Sequence, residues 1–170
     1  VIITDHHTPL PELPPALAII NPKRSDSAYP FSELTGSGIA FKLFQAIFRG
    51  SAEEDKLNGM TDLVALGTIA DVAPLTGENR YLVKEGLALI NTSPRLGIKE
   101  LISEAGLRMG NLDAEMVSWS LAPRLNAAGR LAHAMNSFRL LMTESPEEAR
   151  ELAVWLGEKN AERQRLTTKV

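Results

Sequence analysis

The chain has no cysteine, which removes disulfides and thiolate metal ligands at once and fits a reducing compartment such as the cytoplasm. Aromatic side chains are scarce, at 5% of residues, too few for a single-strand groove lined by stacking rings. No apolar run approaches the roughly 20 residues of a membrane span, and no charged n-region followed by an apolar h-region opens the chain. Basic residues are outnumbered, 18 Lys and Arg against 21 Asp and Glu, for a net charge of −3. A uniformly basic nucleic-acid surface is therefore excluded, and phosphate recognition has to come from a local cluster. There is no internal repeat and no low-complexity segment.

What is present reads as one soluble domain's worth of chain. At 170 residues with 44% hydrophobic content, it is long enough to bury a core. The first residues lie inside an apolar strand pattern and the last inside a charged helical pattern, so the chain reads as a piece of a longer protein. Val1–Thr4 reads as a buried strand and Leu17–Ile20 as a second, closed by the turn Asn21-Pro22.

Helical periodicity takes over from there. Ile39, Ala40, Leu43, Phe44 and Ile47 make an apolar face that Gly50 ends, and 51–59 reads as a polar loop. Residues 60–70 are apolar on most sides, as in a buried helix. Leu82, Val83, Leu87 and Ile90 repeat the helical face, as do Ile98, Leu101, Ile102 and Ala105 before the stop at Gly106. Ser145-Pro146-Glu147-Glu148 marks a helix start, with an N-cap serine, a first-turn proline and a glutamate at the capping-box position.

Three segments carry candidate chemistry. Asp5-His6-His7 stands where the first strand ends, the place at which an open α/β sheet puts its functional groups. Imidazole with carboxylate suits a divalent transition metal better than magnesium or calcium, although such a trio also fits a plain polar turn. Successive residues at a strand end splay apart, so one histidine can bind metal while its neighbour reaches a phosphate. Asp5 can fix a ring tautomer or bind the metal itself. Asp71 closes a nearly all-apolar helix, where the dipole disfavours a carboxylate, so something cationic should face it. These two segments together suggest half of a phosphoester-cleaving metal site. In the segment 121–130, Arg124 and Arg130 flank small residues and offer planar forks for phosphate oxygens; a helix–helix connection with solvated arginines fits equally well. His133 reads as structural, and Trp119 and Trp155 as core or partial-core residues.

Taken in order, Thr4-Asp5-His6-His7, Asn21-Pro22-Lys23-Arg24, Gly36-Ser37-Gly38-Ile39-Ala40, Gly67-Thr68-Ile69-Ala70-Asp71-Val72, Gly77-Glu78-Asn79-Arg80 and Asn126-Ala127-Ala128-Gly129-Arg130 resemble the DHH phosphoesterase superfamily. Within it they resemble the RecJ branch of single-strand-specific exonucleases, nearly end to end. The resemblance implies an α/β fold: the C-terminal part of a parallel-sheet DHH domain, mostly helical here, over residues 1–144. Residues 145–170 would begin a long linker helix towards a downstream domain.

It further implies 5′-to-3′ hydrolysis of single-stranded DNA by a two-metal site using Mn2+ or Mg2+, in DNA repair and recombination, in the cytoplasm and away from membranes. Single-strand-binding protein or helicase partners go with that role. By the matching positions, His6 and Asp71 would be metal ligands, with Asp5 supporting His6 or sharing the metal. His7 would contact the scissile phosphate, and Arg130, with Arg124 and Asn126 in the same segment, would bind phosphate. Family members carry further aspartates on earlier strands, so this stretch alone is expected to be inactive. Alternatives are a relative cleaving short oligonucleotides or cyclic dinucleotides, or a non-catalytic DHH scaffold.

Overall fold

The computed structural model describes residues 1–131 and 133–168. The chain forms two compact units, Val1–Gly86 and Leu87–Val170, whose border falls inside one helix. Helices dominate, with one small parallel sheet.

In the first unit, β1 (Ile2–Thr4) pairs in parallel with β2 (Ala18–Ile20), in the register Ile2↔Ala18, Ile3↔Ile19, Thr4↔Ile20. The crossover between them contains Pro9, Pro11, Pro14 and Pro15, which favour an extended path over a helix. The expectation of a buried first strand is corrected. Val1 and Ile2 are exposed, because β2 is the only strand that pairs with β1 among the described residues and parallel strands are covered only when both faces are packed.

Helix α1 (Gly36–Phe48) starts at Thr35, whose Oγ1 accepts a hydrogen bond from Gly38 N at 3.3 Å. The expected loop over 51–59 is instead partly a 3-10 helix, Glu54–Met60, because Leu57 within that polar stretch is buried and anchors it to the core. Helix α2 (Thr61–Ala70) follows directly, and Val64, Ala65, Leu66, Thr68 and Ile69 are all buried. A Cβ at Gly67 would come within 2.4 Å of Ser37 Oγ, so the glycine allows α1 and α2 to approach closely. Leu34, Ile39, Phe41, Leu57, Val64 and Leu82 form the core of this unit, the last contributed by α3 (Gly77–Thr92).

The second unit holds α4 (Leu96–Glu104), α5 (Ala114–Met116), a π-helical stretch (Val117–Leu121), α6 (Ala122–Leu131), α7 (Met135–Met142) and α8 (Pro146–Thr168). Ile90, Ile98, Leu101, Ile102, Val117, Leu121, Leu140 and Leu156 are essentially inaccessible and make its core. α8 lies against α4, α6 and α7, with Ala149, Ala153, Leu156, Gly157 and Asn160 buried. Its capping box is half formed. Ser145 Oγ accepts from Glu148 N, but the Glu148 carboxylate accepts from Thr143 Oγ1 and Arg139 rather than from Ser145 N.

Two further readings change. Residues 122–131 form a helix rather than a helix–helix connection. Trp119 is 75% exposed rather than core: it sits two residues from both Val117 and Leu121, on the face opposite the one they bury.

Candidate metal centre

The parallel register brings residue 5 to the same level as residue 21, beyond the last paired residues of the two strands. Asp5 N donates to Ile20 O at 3.0 Å, extending the ladder by one bond, and the chain then turns. Asp5 Oδ1 makes the turn: it accepts from His6 N at 2.8 Å and from His7 N at 3.2 Å, and lies 2.8 Å from His7 Nδ1. The hydrogen bond with the His7 ring is the main reason the Asp5 carboxyl sits below its ordinary range, with the two backbone donors assisting. With His7 Nδ1 engaged, Nε2 is the ring nitrogen left to meet a ligand. The two imidazoles lie 4.3 Å apart, tilted by 41°.

The rings differ in depth. The His6 side chain is 19% exposed and that of His7 77%, so one faces inward and the other the solvent. Asp71 approaches His6 from α2, with Oδ2 at 3.4 Å from Nδ1. Asp71 is the C-cap of α2, held there because Val72 N donates to Ile69 O and Ala73 N to Thr68 O. The side chain that faces this helix-end carboxylate is the His6 imidazole. His6, His7, Asp71 and Val72 line a cleft of about 300 Å³ together with Lys23 and Glu33.

The donor chemistry fits a metal ion. Asp5, His6 and His7 each offer one ligand atom, all within 4.8 Å of one another, and Asp71 adds a carboxylate beside His6. Nitrogen and oxygen donors without thiolate suit manganese and similar ions, with bonds near 2 Å. Two carboxylates are too few for a pair of ions about 4 Å apart.

Residues 1–68 match the N-terminal domain of the DHH family. The chain is 46% identical over 170 residues to the single-stranded-DNA-specific exonuclease RecJ of Bacillus subtilis, which covers all of this chain and 21% of that protein. It is 44% identical over 166 residues to RecJ of Thermus thermophilus, across 98% of this chain and 24% of that protein. A crystal structure of that RecJ in complex with Mn2+ superposes with a TM-score of 0.82 at 42% identity, over 97% of this chain and 24% of the other. Over residues 1–68 the chain carries a DHH-family N-terminal domain. It spans about a fifth to a quarter of these two relatives.

The three candidate phosphate residues are not equivalent. Asn126 and Arg130, four apart on α6, share one exposed face. Arg124 turns inward: its Nε donates to Glu104 Oε2 at 2.5 Å and its Nη1 to Ser120 O at 2.7 Å. His133 accepts from Met135 N through Nδ1, at the start of α7.

Sequence reasoning placed Asn21 in a polar turn and gave it no part in the site. This buried side chain donates through Nδ2 to His7 O at 2.9 Å and accepts from Lys23 N at 2.9 Å, pinning the histidine turn to the end of β2. The signal that would have found it is the strand register, which sets Asn21 opposite Asp5. Asn79 was likewise read only as part of a polar turn. It is fully buried, and its Nδ2 donates to Glu33 O and Pro74 O, tying together two segments that line the cleft.

Proposed function

We propose that the protein carrying this chain is a metal-dependent phosphodiesterase that degrades single-stranded DNA from its 5′ end. The observation that carries this reading is the cluster of Asp5, His6 and His7 at a strand end, which Asp71 of a helix end joins through His6, 66 residues after Asp5 in sequence. Alignment along the whole chain to exonucleases of that substrate class, one of them crystallised with Mn2+, supports the substrate and the metal. DNA repair and recombination in the cytoplasm, beside single-strand-binding protein or helicase partners, is the setting this reading fits.

His6 and Asp71 would hold a Mn2+ or Mg2+ ion, and Asp5 would share it or brace the turn. When bound, such ions supply an activated water and neutralise charge building on the phosphate oxygens. The chain's own part is positioning. Asp5 orients the His7 ring by accepting from Nδ1; in the imidazolium form, where both ring nitrogens are donors, Nε2 would donate to a phosphate oxygen from the exposed side of the cleft. Asn21 holds the His7 backbone while that bond forms. Arg130, with Asn126 beside it, would bind the terminal or a near-terminal phosphate, using a fork that matches two oxygens. Arg124, engaged with Glu104, would brace α6 instead.

The test is turnover by the full-length protein on a 3′-labelled single strand with added Mn2+. Expected are progressive loss from the 5′ end, arrest on chelation, and a fall in kcat of a hundredfold or more in His7→Ala. Retention of wild-type turnover by His7→Ala, or indifference to chelation, would contradict the reading.

A further inference from the structure

Helices α2 and α4 end in the same pair of hydrogen bonds but not in the same residue type. At α4, Leu107 N donates to Ile102 O and Gly106 N to Ser103 O, and Gly106 adopts φ +69°. At α2, Ala73 N donates to Thr68 O and Val72 N to Ile69 O, and Val72 adopts φ +55°. Glycine takes this left-handed conformation without steric cost, whereas a β-branched residue there is an outlier. Val72 is the one non-glycine residue with positive φ among the described residues.

Packing does not repay that strain, because Val72 is 84% exposed. Nor does Asp71 need it, since glycine would close the same motif, as Gly106 does. Strain kept without internal compensation points to a group outside the fold that the side chain meets. The location says which. Val72 borders the cleft of His6, His7, Asp71, Lys23 and Glu33, and with Ala73 and Pro74 forms the apolar part of an otherwise polar wall. A phosphate would occupy the polar part, and the sugar and base attached to it need an apolar surface.

We propose that Val72 is a substrate contact: its methyl groups bear on the sugar and base of the nucleotide next to the scissile phosphate. This rests on the phosphodiesterase reading for the identity of the ligand. Burying an exposed valine against a nucleotide corresponds to about a threefold to tenfold change in affinity.

The test compares wild type, Val72→Gly and Val72→Ala in the full-length protein without added metal. It measures the Kd for a 3′-fluorescein oligothymidylate with a 5′ phosphate, and for the same strand made abasic at its two 5′-terminal nucleotides. Glycine relieves the strain and alanine keeps most of it, yet both lose the methyl groups. Both variants should bind the intact strand about threefold to tenfold more weakly and approach wild type on the abasic strand, while Val72→Gly matches or exceeds the wild-type Tm. Equal Kd values for all three proteins would overturn the contact while leaving the nuclease reading intact. A lowered Tm in Val72→Gly with unchanged Kd would overturn it in favour of packing against another part of the protein. Weakened binding by both variants, together with a wild type that cuts nothing with Mn2+, would uphold the contact and overturn the nuclease reading instead.

Discussion

Replacing Asn21 by alanine removes the two hydrogen bonds that tie the histidine turn to the end of β2. The side chain is 6% exposed, and both partners, His7 O and Lys23 N, lie at 2.9 Å. Each such bond is worth about 0.5–1.5 kcal/mol net, so losing both should cost about 1–3 kcal/mol. In a unit of this size that lowers Tm by about 4 °C or more. Activity should suffer further, because the backbone carrying His7 loses its anchor and small displacements of a reacting group cost on the order of tenfold to a hundredfold in rate. Asn21→Asp separates the two bonds: it keeps an acceptor for Lys23 N and loses the donor to His7 O. The assay is thermal unfolding of the full-length protein, followed by Mn2+-dependent turnover on single-stranded DNA. Wild-type Tm together with wild-type turnover in Asn21→Ala would refute the argument.

Three further outcomes are expected. The isolated chain should show little or no Mn2+-dependent nuclease activity, since among the described residues Asp5 and Asp71 are the carboxylates beside His6 and His7, too few for two ions; robust cutting that His7→Ala abolishes would count against this. In the full-length protein, Arg130→Ala should weaken binding of 5′-phosphorylated strands by about tenfold or more, on a charge-assisted bond of roughly 1.5–3 kcal/mol, and should affect 5′-hydroxyl strands less; equal weakening of both would make it a general electrostatic contact. Glu148 is held below the usual carboxylate range by the Thr143 hydroxyl and then by Arg139. A depressed folded value stabilises above the unfolded one and is lost on acidification. The Tm advantage of wild type over Glu148→Gln should therefore be full near neutrality and shrink below about pH 4, as thermal scans across pH would show.

Much of the fold could be read from local pattern. The strands at Ile2–Thr4 and Ala18–Ile20, the apolar stripes of α1, α3 and α4, and the start of α8 follow from periodicity and capping residues, which act over a turn or two. Asp71 was legible for the same reason: a lone acid ending an apolar helix is a local anomaly. The features missed depend on partners distant in sequence. Asn21 matters only once the strand register sets it against His7, and Arg124 was taken for a phosphate ligand until Glu104, 20 residues away, claimed its fork. Trp119 was misread because its place within a helical pattern was taken for burial, although its spacing from Val117 and Leu121 already put it on the outer face. Val72 shows a separate limit, because its composition says nothing of the positive φ imposed on it by the end of α2.

The most direct test is anomalous diffraction at the manganese edge from crystals of the full-length protein soaked in Mn2+. The account predicts a peak about 2 Å from a ring nitrogen of His6 and from a carboxylate oxygen of Asp71, lost in Asp71→Asn. Manganese bound elsewhere, with neither His6 nor Asp71 in its coordination shell, would contradict it.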